Sequence, residues 1–470
     1  MVLHGIEPNK FTFIFLLKAY SLIPIGYKEE GKVVHGKVFK FGYYFDSFVR
    51  NGLMNFYSKC GDVKLAYRVF EELRSENVVN WNTMVGGFMS CGEIEKGRKL
   101  FDEMPERNVE SWNVVISGYC KSGFVDVGRL LFDRMSKRDL FSWSAMISGY
   151  VQSRRGSEGI ELFKEMQNDG IRPDGVILSS VLSACGQIGA LDMGRWIYAY
   201  AGRNKVKYDV FLGTSLVDMY AKCGCIDEAL RVFDSMVNKN VCTWNAIICG
   251  LAMHGYGGKV LELYKQMESA NVAPNDVTFV GVLCACCHIG LVDEGRRQFN
   301  RMKKEFGIIP KIEHYGCMVD ILGRTGLIHE AKDLIRSMPM DPNIVVLGAF
   351  LSACKLHGFT TVGDDVMRHL QNLAPEDGGC YVLLSNIYAD VNQWDKVVEM
   401  RKMMKGMRVE KKIPGCSFIE VNSVVHEFLV DDKLHPNWRE LCVIIDRLST
   451  HLEFEGYVPN PSLVLYNIAE

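Results

Sequence analysis

The sequence predicts an all-α protein built as a solenoid of stacked helix-turn-helix units, and three observations carry that expectation. First, one phrase recurs: Val-Asn-Trp-Asn-Thr-Met (79–84), Glu-Ser-Trp-Asn-Val-Val (110–115), Phe-Ser-Trp-Ser-Ala-Met (141–146) and Cys-Thr-Trp-Asn-Ala-Ile (242–247). Second, Trp81, Trp112, Trp143 and Trp244 stand 31, 31 and 101 residues apart, and the last interval holds two units of 35 and one of 31. Third, segments such as 61–70 and 225–234 place apolar residues at helical spacing. One amphipathic helix pair cannot bury its apolar face, whereas stacked pairs share a continuous core.

Laid end to end, the units run 10–46, 47–77, 78–108, 109–139, 140–174, 175–209, 210–240, 241–275, 276–311 and 312–343. Two further units, 344–377 and 378–411, continue the phase before a tail at 412–470. Glycine closes the first helix of most units, where a left-handed residue ends a helix cheaply. Pro173 and Pro274 stand just past a second helix, which proline cannot continue. Residues 1–9 read as the end of a preceding unit. The chain is therefore expected to lack earlier repeats and a transit peptide.

A composition of 48% hydrophobic and 23% charged residues excludes a disordered chain. Lys and Arg number 54 against 56 Asp and Glu, which excludes a globally polybasic protein and leaves room for local basic grooves. The uncharged run Val277 to Val292 is 16 residues, short for a bilayer span. The 16 cysteines recur at helix-end sites, as in Cys60, Cys223 and Cys225 or Cys185, Cys286 and Cys354. They read as reduced packing residues, not disulfides.

The phrases Met-Tyr-Ala-Lys-Cys-Gly (219–224), Trp-Asn-Ala-Ile-Ile-Cys-Gly-Leu-Ala-Met-His-Gly (244–255) and Leu-Leu-Ser-Asn-Ile-Tyr-Ala (383–389) resemble the plant pentatricopeptide repeat family. The mixture of short, standard and long units resembles its PLS subclass. Units 344–377 and 378–411 look like that family's C-terminal extension motifs, and Pro414 to Val421 like its Pro-Gly box, with Phe418 where Trp is usual. A tetratricopeptide scaffold fits worse, because its 34-residue period is not kept.

The resemblance implies a right-handed superhelix that binds single-stranded RNA in parallel orientation, one nucleotide per unit, through the fifth and last residues of each unit. Those pairs are Asn51/Asn77, Asn82/Asn108, Asn113/Asp139, Ser144/Asp174, Thr214/Asn240 and Asn245/Asn275. Asn, Ser and Asp are also common helix caps, so capping is the competing reading. The pairs Ile14/Asp46, Ser179/Asp209 and Val280/Lys311 are mixed and expected to select little. Second in their units stand Phe48, Val79, Phe141, Val176, Phe211 and Val277, which either wedge between bases or pack helices. Thirteenth stand Lys59, Lys121, Lys222 and Arg324, a ladder fit for phosphates or for the helix dipole.

Many relatives end in a zinc deaminase, whose His-x-Glu precedes a Cys-x-x-Cys pair. Here His451-Leu-Glu453 follows the last cysteine, Cys442, and the pair Cys284/Cys287 lies upstream in a repeat. Gly92 to Arg98 has the outline of a phosphate loop, with Arg98 in place of its lysine, and reads as a false positive. The cluster Arg401, Lys402, Lys405, Arg408, Lys411 and Lys412 reads as a solvated face. No catalytic residue, metal or cofactor is expected. The resemblance implies a mitochondrial or chloroplast specificity factor for C-to-U RNA editing, with a DYW-type deaminase protein and editing accessory proteins as partners. A binder that stabilises transcripts or supports splicing, and a protein scaffold, are the alternatives.

Overall fold

A computed structural model describes residues 7–22, 28–72, 77–204, 206, 208–359, 382, 384–386, 388–389, 393–406, 416–421, 424–429, 433 and 435–457. Residues 1–6, the greater part of 360–392, and Arg408, Lys411, Lys412, Pro414 and Gly415 lie outside them. The chain divides into two compact units, Met1–Ile188 with Trp196–Tyr208, and Gly189–Arg195 with Asp209–Glu470.

The first unit holds α1 (Lys10–Leu22), α2 (Lys28–Lys40), α3 (Ser47–Lys59), α4 (Val63–Glu71), α5 (Val78–Ser90), α6 (Ile94–Asp102), α7 (Val109–Lys121), α8 (Val125–Asp133), α9 (Leu140–Gln152), α10 (Gly156–Asn168) and α11 (Gly175–Ile188). Helix α12 (Leu191–Arg203) is shared between the two units. The second continues with α13 (Val210–Lys222), α14 (Ile226–Ser235), α15 (Val241–Met253), α16 (Gly257–Ser269), α17 (Asp276–Ile289), α18 (Val292–Lys304), α19 (Ile312–Arg324), α20 (Ile328–Arg336) and α21 (Ile344–Leu356). Within each compact unit first helices pack on their own second helices and on the next first helix, as α3 does on α4 and α5 in one and α15 on α16 and α17 in the other.

The recurring tryptophan seals each pair to the one before it. Phe70 meets Trp81 edge-on at 5.0 Å, Phe101 meets Trp112 at 5.1 Å, Phe132 meets Trp143 at 5.0 Å, and Phe233 meets Trp244 at 4.9 Å. Such perpendicular ring pairs add about 0.5–1.5 kcal/mol beyond the area they bury. The second helix of a short unit ends under a cation from the loop: Arg107 donates to the carbonyls of Phe101 and Asp102, and Arg138 to those of Phe132 and Asp133. These are the carbonyls a helix end leaves unpaired.

First helices also pack on one another closely. A Cβ at Gly149 would stand 2.4 Å from Cys120 Sγ and one at Gly250 2.4 Å from the Ala221 methyl, so neither position admits a side chain unless its neighbour yields. Cys185, Cys286 and Cys354 are wholly buried, as packing residues are, whereas Cys60 and Cys223 are only half-buried and close α3 and α13 as C-caps.

The C-terminal region adds a β-hairpin to the helices. Helix α22 (Trp394–Gly406) precedes an antiparallel hairpin, β1 (Cys416–Val421) with β2 (Val424–Leu429), in which Phe418 pairs Glu427. Glu420 accepts the Asp192 backbone N–H at 2.7 Å. Helix α23 (Trp438–Phe454) follows with no buried side chain. No helix among the described residues is long and apolar enough to cross a membrane.

Candidate functional site

The last residue of each unit is the N-cap of the next first helix. Asn77, Asn108, Asp139, Asn240 and Asn275 hold extended backbone before α5, α7, α9, α15 and α17, and each side-chain oxygen accepts a backbone N–H of the first turn. Asp174 accepts the Ile177 N–H at 2.9 Å in the same way. Capping is therefore a role these residues fill, worth about 1 kcal/mol per helix.

They do something further. The fifth residue of a unit, one turn into its first helix, reaches across to that cap. Asn113 Nδ2 donates to Asp139 Oδ1 at 3.0 Å, Asn245 Nδ2 to Asn275 Oδ1 at 3.0 Å, and Asn82 Nδ2 to Asn108 Oδ1 at 3.4 Å. Thr214 meets Asn240 through one intermediary: its hydroxyl lies 2.7 Å from that of Thr243, which donates to Asn240 Oδ1 at 3.0 Å. Ser144 and Asp174 share no hydrogen bond among the described residues. Burial penalises the Asp139 carboxylate, but the N–H and hydroxyl of Ser142 and the amide of Asn113 outweigh it and hold the carboxyl below its ordinary range.

The second residues of the units are not core. Phe48, Val79, Phe141, Val176, Phe211 and Val277 are all exposed, Phe141 by 75% and Phe211 by 74%. Helix packing therefore does not account for them. Phe141 lines an open cleft of about 700 Å³ together with Asn113, Asp139, Ser144, Glu110 and Lys121. One hollow thus gathers a polar pair, an exposed ring, the next fifth residue and a cation.

Lys59, Lys121, Lys222 and Arg324 each end a first helix, α3, α7, α13 and α19. They are not equivalent. Lys222 is bonded to Asp218 at 2.7 Å and Arg324 to Asp320 at 3.0 Å, while Lys59 and Lys121 are exposed and in no ion pair among the described residues. Of the mixed pairs, Asp46 caps α3 and Asp209 caps α13, and Lys311 is tied up in an ion pair with Asp276.

The PPR repeat profile matches residues 48–78, 110–140, 141–171, 214–241, 277–305 and 313–341, and that of the PPR repeat family matches 76–111 and 239–288. A chloroplastic pentatricopeptide repeat-containing protein of Arabidopsis thaliana is 37% identical over all of this chain and 55% of its own length. A mitochondrial one from the same plant is 43% identical over 95% of this chain and 61% of its own. A third is 44% identical over 99% of this chain and 77% of its own. The chain belongs to the pentatricopeptide repeat family.

The expected organellar address, mitochondrion or chloroplast, agrees with those names. The chain spans little more than half the length of the first of these relatives. Among solved structures, the maize pentatricopeptide repeat protein PPR10 is 18% identical with a TM-score of 0.48, over 87% of this chain and 70% of that one. The E motif of pentatricopeptide repeat proteins matches residues 360–420, ending within β1. His451 lies on the exposed α23, while Cys287 is buried on α17 and donates its thiol proton to Asp320 at 2.9 Å. The His-x-Glu of α23 and the Cys-x-x-Cys of α17 thus fall on separate elements, and no metal-holding group of three occurs among the described residues.

Proposed function

We propose that this pentatricopeptide repeat chain binds single-stranded organellar RNA, one nucleotide per unit, as a site-recognition factor for C-to-U editing. The deaminase chemistry comes from a separate DYW-type protein, assisted by organellar editing accessory proteins. The observation that carries the reading is the alternation of hydrogen-bonded polar pairs with exposed second-position side chains along successive first helices. Polar pairs suit Watson–Crick edges, and apolar side chains between them suit base faces. The cations lie eight residues further along each first helix than the fifth residues. That is about 12 Å at a helical rise of 1.5 Å per residue, which separates a phosphate track from a base track.

The hydrogen-bond chemistry distinguishes the units. At Asn113/Asp139 one amide N–H and the Asp139 Oδ2 remain to face a base, a donor beside an acceptor. Uracil offers the complementary O4 and N3–H. At Asn245/Asn275 both remaining groups are amide donors, which suits the acceptors of a pyrimidine. With Ser/Asp reading G and Thr/Asn reading A, as the family's rules imply, the array reads 5′-Y-Y-U-G-n-A-Y. Here n faces unit 175–209 and Y is either pyrimidine.

Two measurements test the reading. The full chain should bind 5′-CCUGAAC RNA at least tenfold more tightly than a scrambled heptamer. Organelle extract lacking this chain should regain editing of a cytidine downstream of that sequence when the chain is added. Equal affinity for both RNAs overturns the recognition role. Binding without restored editing leaves an RNA-stabilising or splicing factor.

A further inference from the structure

In three units the third residue lies between the two reading residues of the unit before it, whereas Ser111 Oγ donates only to Asn108 Oδ1 and leaves Asn82 Oδ1 without a partner among the described residues. Ser142 Oγ stands 2.7 Å from Asn113 Oδ1 and 2.8 Å from Asp139 Oδ1, sharing its single proton between them, and accepts the Asp139 N–H at 3.2 Å. Thr278 repeats the arrangement, 2.6 Å from Asn245 Oδ1 and 3.0 Å from Asn275 Oδ1, accepting the Asn275 N–H at 3.0 Å. Thr243 also lies between Thr214 and Asn240, donating to Asn240 Oδ1 at 3.0 Å and standing 2.7 Å from the Thr214 hydroxyl, where either oxygen can be the donor. All three side chains are fully buried.

A helix cap needs only the bond to the cap residue. The second bond, to the fifth residue of a different helix, is surplus to capping. Its consequence lies in the amide. An asparagine side chain presents an oxygen or an N–H to a ligand according to which way its amide is turned. With the hydroxyl proton on Asn245 Oδ1, the Nδ2 points at Asn275 Oδ1. The turned amide would instead set Asn245 Oδ1 against Asn275 Oδ1, two acceptors with no proton between them. The hydroxyl proton on Asn245 Oδ1 and the Asn275 Oδ1 that faces Nδ2 together select one turn of the amide and leave its second N–H as the outward group. Where the third residue is Ile177, the pair before it, Ser144/Asp174, has no such link among the described residues.

We infer that Ser142 and Thr278 are positioning residues for base recognition: each fixes the hydrogen-bonding edge that the preceding reading pair turns toward RNA. The inference rests on the RNA-reading role proposed above and goes beyond it, since it assigns specificity to residues that do not face the base.

The test uses the full chain and 5′-CCUGAAC RNA with the third base as U, C, A or G. Ser142→Ala lowers the affinity ratio of U over C at that base about five- to tenfold, the worth of one hydrogen bond. Ser142→Thr restores it, and the preference at the sixth base is unchanged. Asp139→Asn serves as the control for the reading itself. If Asp139→Asn alters the ratio and Ser142→Ala does not, the hydroxyl is only a cap and the inference fails while the reading stands. If neither alters it, both fail. Thr278→Val, which keeps side-chain volume, repeats the measurement at the seventh base should Ser142→Ala lose its helical circular dichroism.

Discussion

Asn245 Nδ2 donates to Asn275 Oδ1 at 3.0 Å, joining the fifth and last residues of one repeat although 30 positions separate them in sequence. The two residues proposed to read a base are therefore one object, and a change at the cap alters what the pair presents. At Thr214/Asn240 the cap contributes an amide, and Asn240→Asp replaces its N–H donors by an acceptor. The expected outcome is a switch from A to G at the sixth base, with about 1–3 kcal/mol of discrimination and the other positions unaltered. Titrations with four heptamers read it. Weaker binding with the preference still on A places the residue in capping alone.

The exposed rings make a separable prediction. Phe141→Ala and Phe211→Ala remove side chains that are 75% and 74% exposed, so stability should shift by no more than about 0.5 kcal/mol. If these rings stack on bases, RNA affinity should fall by about 1–3 kcal/mol for each, with little dependence on sequence. Paired chemical denaturation and binding curves decide the matter.

The solenoid was legible because its signals repeat. The tryptophan phrase, the closing glycine and the polar last residue each recur at a fixed place, so chance errors at one unit are outvoted by the rest. The fold class and family followed from that recurrence. The chemistry of the pairs was legible only as residue type. Sequence separates Asn113 from Asp139 by 26 positions and says nothing of the bond between them, and Ser142 belongs to the next unit altogether. The signal that would have found it was present: Ser or Thr precedes the tryptophan of three of the four phrases, at Ser111, Ser142 and Thr243. The hairpin was missed for another reason. The resemblance of Pro414 to Val421 to a box motif carries no strand of its own, and the strand signal lies in the β-branched Val421, Val424 and Val425.

The cation ladder should divide in two. Lys121→Ala removes an exposed charge that lines the cleft, and the slope of log affinity against log salt should flatten by about one unit at most. Lys222→Ala should change it less, because Asp218 at 2.7 Å already offsets that charge. Asp218→Asn should then steepen the slope. Equal slopes for all four proteins would confine the ladder to the helix dipole.

Acid should weaken the Asn113/Asp139 unit through one carboxylate. Hydrogen bonds from Ser142 and Asn113 hold Asp139 below its ordinary range despite burial. A group depressed on folding stabilises above its unfolded value, about 3.9, and that contribution is lost as pH falls through the folded value. Asp139→Asn should therefore show a shallower loss of stability below about pH 4 than the parent chain. Urea midpoints at pH 3 and pH 6 supply the comparison.

A tight helix approach yields the last prediction, which concerns the scaffold alone. A Cβ at Gly149 would lie 2.4 Å from Cys120 Sγ and 2.7 Å from Cys120 Cβ, well inside contact distance. Cys120 is buried, with Met146 Sδ at 3.7 Å and α8 so near that a Cβ at Gly128 would stand 3.0 Å from its Sγ, so it has little room to retreat. Gly149→Ala gains helix propensity of about 1 kcal/mol, and the overpacked contact should cost more, leaving a net loss of about 1–2 kcal/mol. Cys120→Gly removes both clashing atoms and should rescue Gly149→Ala, so the pair gives a favourable coupling in a double-mutant cycle. Because each repeat leans on its neighbours, hydrogen exchange in α7 and α9 is the measurement that localises the loss. Additive effects of the two changes would show that the helices separate readily and that this contact does not set their spacing.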